Sequence, residues 1–147
     1  MSPETSPSQK SDRVRAIMRT GETMKVMIVD DSEQVRRLII SFIGDLVSEF
    51  VECVDGSEAL SAYAEHRPDL VLMDYSMKKM NGFEATREIK RDFPNARIVI
   101  VSQWDSPALR EAAKDSGADA YVNKKSLLPL RDFIRYGPAL FPIRGRR

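Results

Sequence analysis

Five short apolar runs, each followed by a segment with helical hydrophobic spacing, restrict this chain to very few folds. The runs occupy 25–29, 50–54, 69–74, 97–101 and 118–122. A run that lacks polar alternation is buried on both faces, and a helix between two such runs is the usual crossover between parallel strands. The pattern predicts an α/β domain, a parallel sheet of five strands covered by helices on both faces in a (βα)5 arrangement.

Local signals punctuate the helices. Between 34 and 47, Val35, Leu38, Ile39, Phe42, Ile43 and Leu46 recur at helical spacing, with Ser32 placed to cap the first turn. Ser57 is read as opening the second helix, which stops before Pro68. The third covers 83 to about 93. Ser106 and Pro107 start the fourth and Gly117 ends it. The fifth, with Ser126 as its expected cap, carries Leu127, Leu130, Phe133 and Ile134 to about Tyr136.

At 147 residues the chain suits a single domain with a proper core. Residues 1–23 read as a flexible tail, 24–137 as the domain and 138–147 as a short basic tail. A net charge of +1 provides no global field for nucleic acid or an anionic membrane, so neither is an expected direct partner. The single cysteine, Cys53, sits in an apolar run and reads as a buried structural thiol in a reducing compartment. No apolar run approaches the roughly 20 residues a membrane span requires, and the expected location is cytoplasmic. His66, beside Arg67 and Pro68, reads as a solvated helix end.

Polar residues follow the strands. Asp30 and Asp31 come after the first, Asp74 ends the third, Ser102 follows the fourth and Lys124 the fifth. In a parallel sheet these ends share one edge, where ligands bind. Three converging carboxylates repel one another and call for a cation. Oxygen donors without cysteine or histidine suit Mg²⁺, and a metal, an ammonium and a hydroxyl together suit a phosphoryl group. A carboxylate can accept that group as an aspartyl phosphate; Asp74 takes this role and the Asp30–Asp31 pair the metal.

Residues 25 to about 136 resemble the receiver domain of bacterial response regulators. The resemblance rests on Val29-Asp-Asp-Ser32, Leu72-Met-Asp-Tyr-Ser-Met77, Met80-Asn-Gly82, Val101-Ser102 and Gly117-Ala-Asp-Ala-Tyr-Val-Asn-Lys124, in order and at family spacing. It implies a doubly wound sheet in the flavodoxin-like strand order 2-1-3-4-5, phosphorylation of Asp74 by a histidine kinase or phosphotransfer protein, and Mg²⁺ held by Asp30, Asp31, Asp74 and the backbone carbonyl of Ser76. It also implies that Lys124 and Ser102 stabilise the phosphoryl group. Ser102 and Tyr121 would form the switch: on phosphorylation the hydroxyl would move to a phosphoryl oxygen and the ring turn from an outward to an inward position, reshaping the face made by helix four, strand five and helix five. Spacing from Tyr121 selects Lys124 over Lys125 as the lysine of the site.

The chain departs from the family at Lys78, where a proline is usual, and at Lys125, also often proline. Lys78 and Lys79 add positive charge beside the site, in a loop expected to be more mobile. Trp104 is bulky where it could cover the phosphoryl group and slow its hydrolysis; packing against the next helix is the competing reading. The expected function is a stand-alone switch, a monomer or weak dimer through the helix 4, strand 5, helix 5 face, signalling to an unknown protein target. The alternative is a silent adaptor with the same fold. An enzyme is not expected: aspartate-nucleophile phosphatases place a second aspartate where Ser76 stands, and no flavin-binding phosphate loop follows the first strand.

Overall fold

The computed structural model describes residues 24–137, and the expectations for both tails fall outside them. Among the described residues, five strands alternate with five α-helices. The strands are β1 (Lys25–Val29), β2 (Glu49–Cys53), β3 (Leu70–Asp74), β4 (Ile98–Ser102) and β5 (Ala120–Asn123). The helices are α1 (Glu33–Ile43), α2 (Ala59–His66), α3 (Gly82–Asp92), α4 (Pro107–Ser116) and α5 (Leu128–Tyr136). All neighbouring strands pair in parallel, in the order β2-β1-β3-β4-β5. This is the doubly wound, flavodoxin-like order that the resemblance implied.

Strand periodicity sorts the core into two layers. Met27, Val29, Val71, Met73, Ile98 and Ile100 face one side and pack with Tyr63, Phe83, Ile89 and Ala113 of α2, α3 and α4. Their neighbours Val26, Ile28, Leu70, Leu72, Val99 and Val101 face the other and pack with Ile39, Ile43, Leu130, Phe133 and Ile134 of α1 and α5. Fully burying each of the larger aliphatic side chains contributes about 1.5–3 kcal/mol. Cys53 is buried as expected, and burial pushes its thiol up to about 11.

Several local expectations hold in detail. Ser32 Oγ accepts the Val35 amide, Ser106 Oγ accepts the Leu109 amide, and Gly117 ends α4 at φ 99°. Others need correction. Ser126 does not cap α5, which begins at Leu128 with Pro129 in its first turn and Leu127, whose side chain makes no capping bond, before it. Ser57 lies within a short 3-10 turn, Gly56–Glu58, capped by Asp55, and α2 starts only at Ala59. Strands β2, β4 and β5 are displaced by one or two residues from the apolar runs, because pairing with neighbours rather than composition sets where a ladder ends.

Candidate functional site

The direction of winding reverses between β1 and β3, so their carboxyl ends flank a crevice that no crossover helix covers. Asp30 follows β1 and Asp74 is the last residue of β3. Together with Asp31 they each present one carboxylate oxygen, and the three atoms lie within 4.8 Å of one another. Asp30 and Asp74 are buried, whereas Asp31 is exposed.

Lys124 joins them from the end of β5. Its Nζ lies 2.9 Å from Asp30 Oδ2 and 2.9 Å from Asp74 Oδ1. Burial opposes the ammonium charge, but the two carboxylates outweigh it and hold the lysine above its usual range. Asp74 is pushed up to about 6, chiefly by burial; Lys124 opposes the rise, Asp30 adds to it, and the Ser76 amide draws it down. Asp30 is oriented by the Ser32 amide, which donates to its Oδ1 at 2.8 Å. Lys125 stays exposed, so Lys124 is the lysine of the site.

Ser102 ends β4 with 1% of its surface exposed. Its Oγ accepts the Trp104 amide at 3.0 Å, and its hydroxyl bonds to the Tyr121 oxygen, which opposes the rise that burial imposes on that phenol. The three aspartates, Ser76, Ser102, Lys124 and Trp104 line one cleft of about 260 Å³, with Ser32, Val35 and Gln103 completing its wall. Trp104 stands at the rim, 54% exposed. Tyr121 lies behind that rim, buried, with its hydroxyl donating to the Trp104 carbonyl at 2.6 Å. The ring therefore already occupies the inward position. Lys78 is exposed and does not line the cleft.

Three contributors escaped the sequence reading. The buried Asp55 carboxylate accepts the amides of Ser57 and Lys79. Arg110, held by two bonds to Asp105, places its guanidinium 4.9 Å from the centre of the Tyr121 ring. Asn81 and Glu84 form a reciprocal capping box that starts α3 directly after the Asp74 loop. Only the last had a readable signal, an Asn followed three residues later by Glu. The other two are contacts between segments distant in sequence or set by a loop's path.

Comparison with known proteins agrees with this geometry. Residues 26–131 match the model of the response regulator receiver domain. The response regulator protein VraR of Staphylococcus epidermidis is 39% identical over 117 residues, covering 76% of this chain and 55% of that protein. The chain thus spans about half the length of the curated relatives it matches. Among solved structures, a two-component response regulator of the LuxR family from Aurantimonas sp. SI85-9A1 superposes with a TM-score of 0.70 at 31% identity, covering 82% of this chain and 88% of that one. The receiver domain of the Arabidopsis thaliana histidine kinase CKI1, solved in complex with Mg²⁺, gives 0.65 at 29% identity, covering 76% of this chain and 90% of that one. With the matched segment running from β1 into α5 and taking in the ends of β1, β3, β4 and β5 that build the cleft, the chain belongs to the response regulator receiver domain family.

Proposed function

We propose that this chain is a phosphorylation-dependent switch whose acceptor is Asp74. One observation carries the reading: a single ammonium, Lys124, bridges the buried Asp30 and Asp74 at the floor of an open cleft. Such a group neutralises oxygens that arrive between the carboxylates, which is most of what phosphoryl transfer asks of a protein. In the transfer, the phosphorus to nitrogen bond of a phosphohistidine donor breaks as a bond from phosphorus to an Asp74 carboxylate oxygen forms. Lys124 and the Ser102 hydroxyl then face the new phosphoryl oxygens.

The donor set fits Mg²⁺. It consists of carboxylate oxygens, and no cysteine or histidine lines the cleft. Asp30, Asp31, Asp74 and the backbone carbonyl of Ser76 would hold the ion, which when bound supplies positive charge against the phosphoryl oxygens. The donor is a histidine kinase or phosphotransfer protein. The chain catalyses only its own phosphorylation and dephosphorylation, and Trp104 at the rim shields the phosphoryl group from water. Output runs through protein contacts on the face of α4, β5 and α5, where Tyr121 sits. No described helix is long and apolar enough to cross a membrane.

Intact-mass analysis after incubation with acetyl phosphate, with and without Mg²⁺, tests this directly. A gain of one phosphoryl group that needs Mg²⁺ and disappears in Asp74→Asn is the expected result. No gain in folded protein under any condition would point instead to a silent adaptor.

A further inference from the structure

The loop between β3 and α3 carries Ser76, yet it lacks the stiffening a proline at position 78 would bring. Something else must hold it. Its two ends are pinned together, the Gly82 amide donating to the Tyr75 carbonyl at 2.8 Å. Its tip is held from the neighbouring β2–α2 turn: Asp55 Oδ1 accepts the Lys79 amide at 3.0 Å, the Met80 amide also faces this carboxylate, and Oδ2 accepts the Ser57 amide at 2.9 Å. Next to it Gly56 lies so close that an added Cβ would stand 2.5 Å from the Met80 carbonyl oxygen. Asp55 is buried, with 7% of its surface exposed, and is not among the residues that line the cleft.

We propose that Asp55 is a positioning residue for the cleft, a buried carboxylate that takes the place of a rigid loop and keeps the Ser76 carbonyl aimed at the bound cation. This rests on the phosphoryl-acceptor reading above and adds a residue to it. An acid is needed at this place because it meets only donors. In Asp55→Asn the amide NH₂ is turned toward a backbone N–H, donor against donor, so the side chain loses either a bond to the loop or the Ser57 bond that anchors it in the turn. Loss of a partner that orients a metal ligand from outside typically weakens metal binding by about tenfold or more.

The test measures Mg²⁺ affinity by calorimetry, with the emission of Trp104, the sole tryptophan and a residue of the cleft rim, as a second readout. Four proteins are compared: wild type, Asp55→Asn, Lys78→Pro and the double variant. Among the described residues the Lys78 amide makes no hydrogen bond, so proline there removes none. Asp55→Asn should bind Mg²⁺ about tenfold more weakly. Lys78→Pro should change little by itself, because Asp55 already holds the loop, and should restore at least half of the lost binding free energy in the Asp55→Asn background. Such coupling is what two devices acting on one loop produce. A variant that merely loosened the fold would not be rescued from position 78. Circular dichroism and a thermal melt confirm that each protein is folded. Wild-type affinity in Asp55→Asn, or a loss that proline leaves unrepaired, overturns the role of Asp55. Wild-type protein that neither binds Mg²⁺ nor gains a phosphoryl group overturns the underlying function instead.

Discussion

Tyr121 and Ser102 meet on a single backbone residue: the tyrosine hydroxyl donates to the Trp104 carbonyl at 2.6 Å while the Trp104 amide donates to Ser102 Oγ at 3.0 Å. The two side chains also share a direct hydrogen bond, so a shift of Ser102 toward a phosphoryl group would be felt at Tyr121 both directly and through Trp104. The inward ring is further covered by Arg110, which Asp105 holds in place. Arg110→Ala should therefore release the ring. A guanidinium over a tyrosine face at a partly exposed site contributes about 0.5–1 kcal/mol, so the inward population relative to the outward should fall about two- to fivefold. Fluorine NMR of protein labelled with 3-fluorotyrosine, with the Tyr121 signal assigned by Tyr121→Phe, reads this ratio. An unmoved Tyr121 signal would remove Arg110 from the switch.

Asp74 makes stability depend on pH in the direction opposite to a paired surface carboxylate. Its folded pKa, about 6, lies above the ordinary value of 3.8, so the folded state holds the proton more tightly than the unfolded one. Stability is therefore lost as pH rises through that window and is constant above it. In the presence of chelator at pH 7.5, Asp74→Asn should melt at a higher temperature than wild type, by a margin on the order of 2 kcal/mol, and the advantage should vanish below about pH 4. Calorimetric melts across pH check it; a less stable Asp74→Asn at pH 7.5 would show that Lys124 outweighs the burial.

Gly82 begins α3 directly against the acceptor strand, where an added Cβ would lie 2.0 Å from the Asp74 carbonyl oxygen. Gly82→Ala cannot be accommodated without moving backbone at the site, and should cost at least about 2 kcal/mol in denaturant titration. Gly44 is the internal control. It is right-handed at φ −59°, and nothing lies within 4 Å of an added Cβ. Gly44→Ala should stabilise by about 0.4–1 kcal/mol.

Cys53 should report global opening. The residue is 3% exposed and burial raises its thiol to about 11, so at pH 8 it is neutral and shielded from reagent. Reaction with dithionitrobenzoate should be slow in native protein and accelerate with added urea in step with unfolding. Fast reaction without denaturant would reveal a local opening of β2.

The sequence by itself determined the element types and the edge on which chemistry gathers. Continuous apolar runs at 25–29 and 97–101 could only be strands buried on both faces, and the acids and Lys124 stand directly after such runs, so their convergence followed from parallel pairing alone. Caps such as Ser32 and Ser106 were legible because a cap acts within four residues. The order of the strands is a matter of pairing between distant segments, which local periodicity does not encode; it was available beforehand only through the family resemblance. Tertiary structure also decided what Asp55 holds, 24 residues away at Lys79, and which ring Arg110 covers. It moved the start of α5 past Ser126 to Leu128. Each of these depends on where two separately folded segments come to rest against one another, a relation fixed by packing of the whole core rather than by the spacing of residues along the chain.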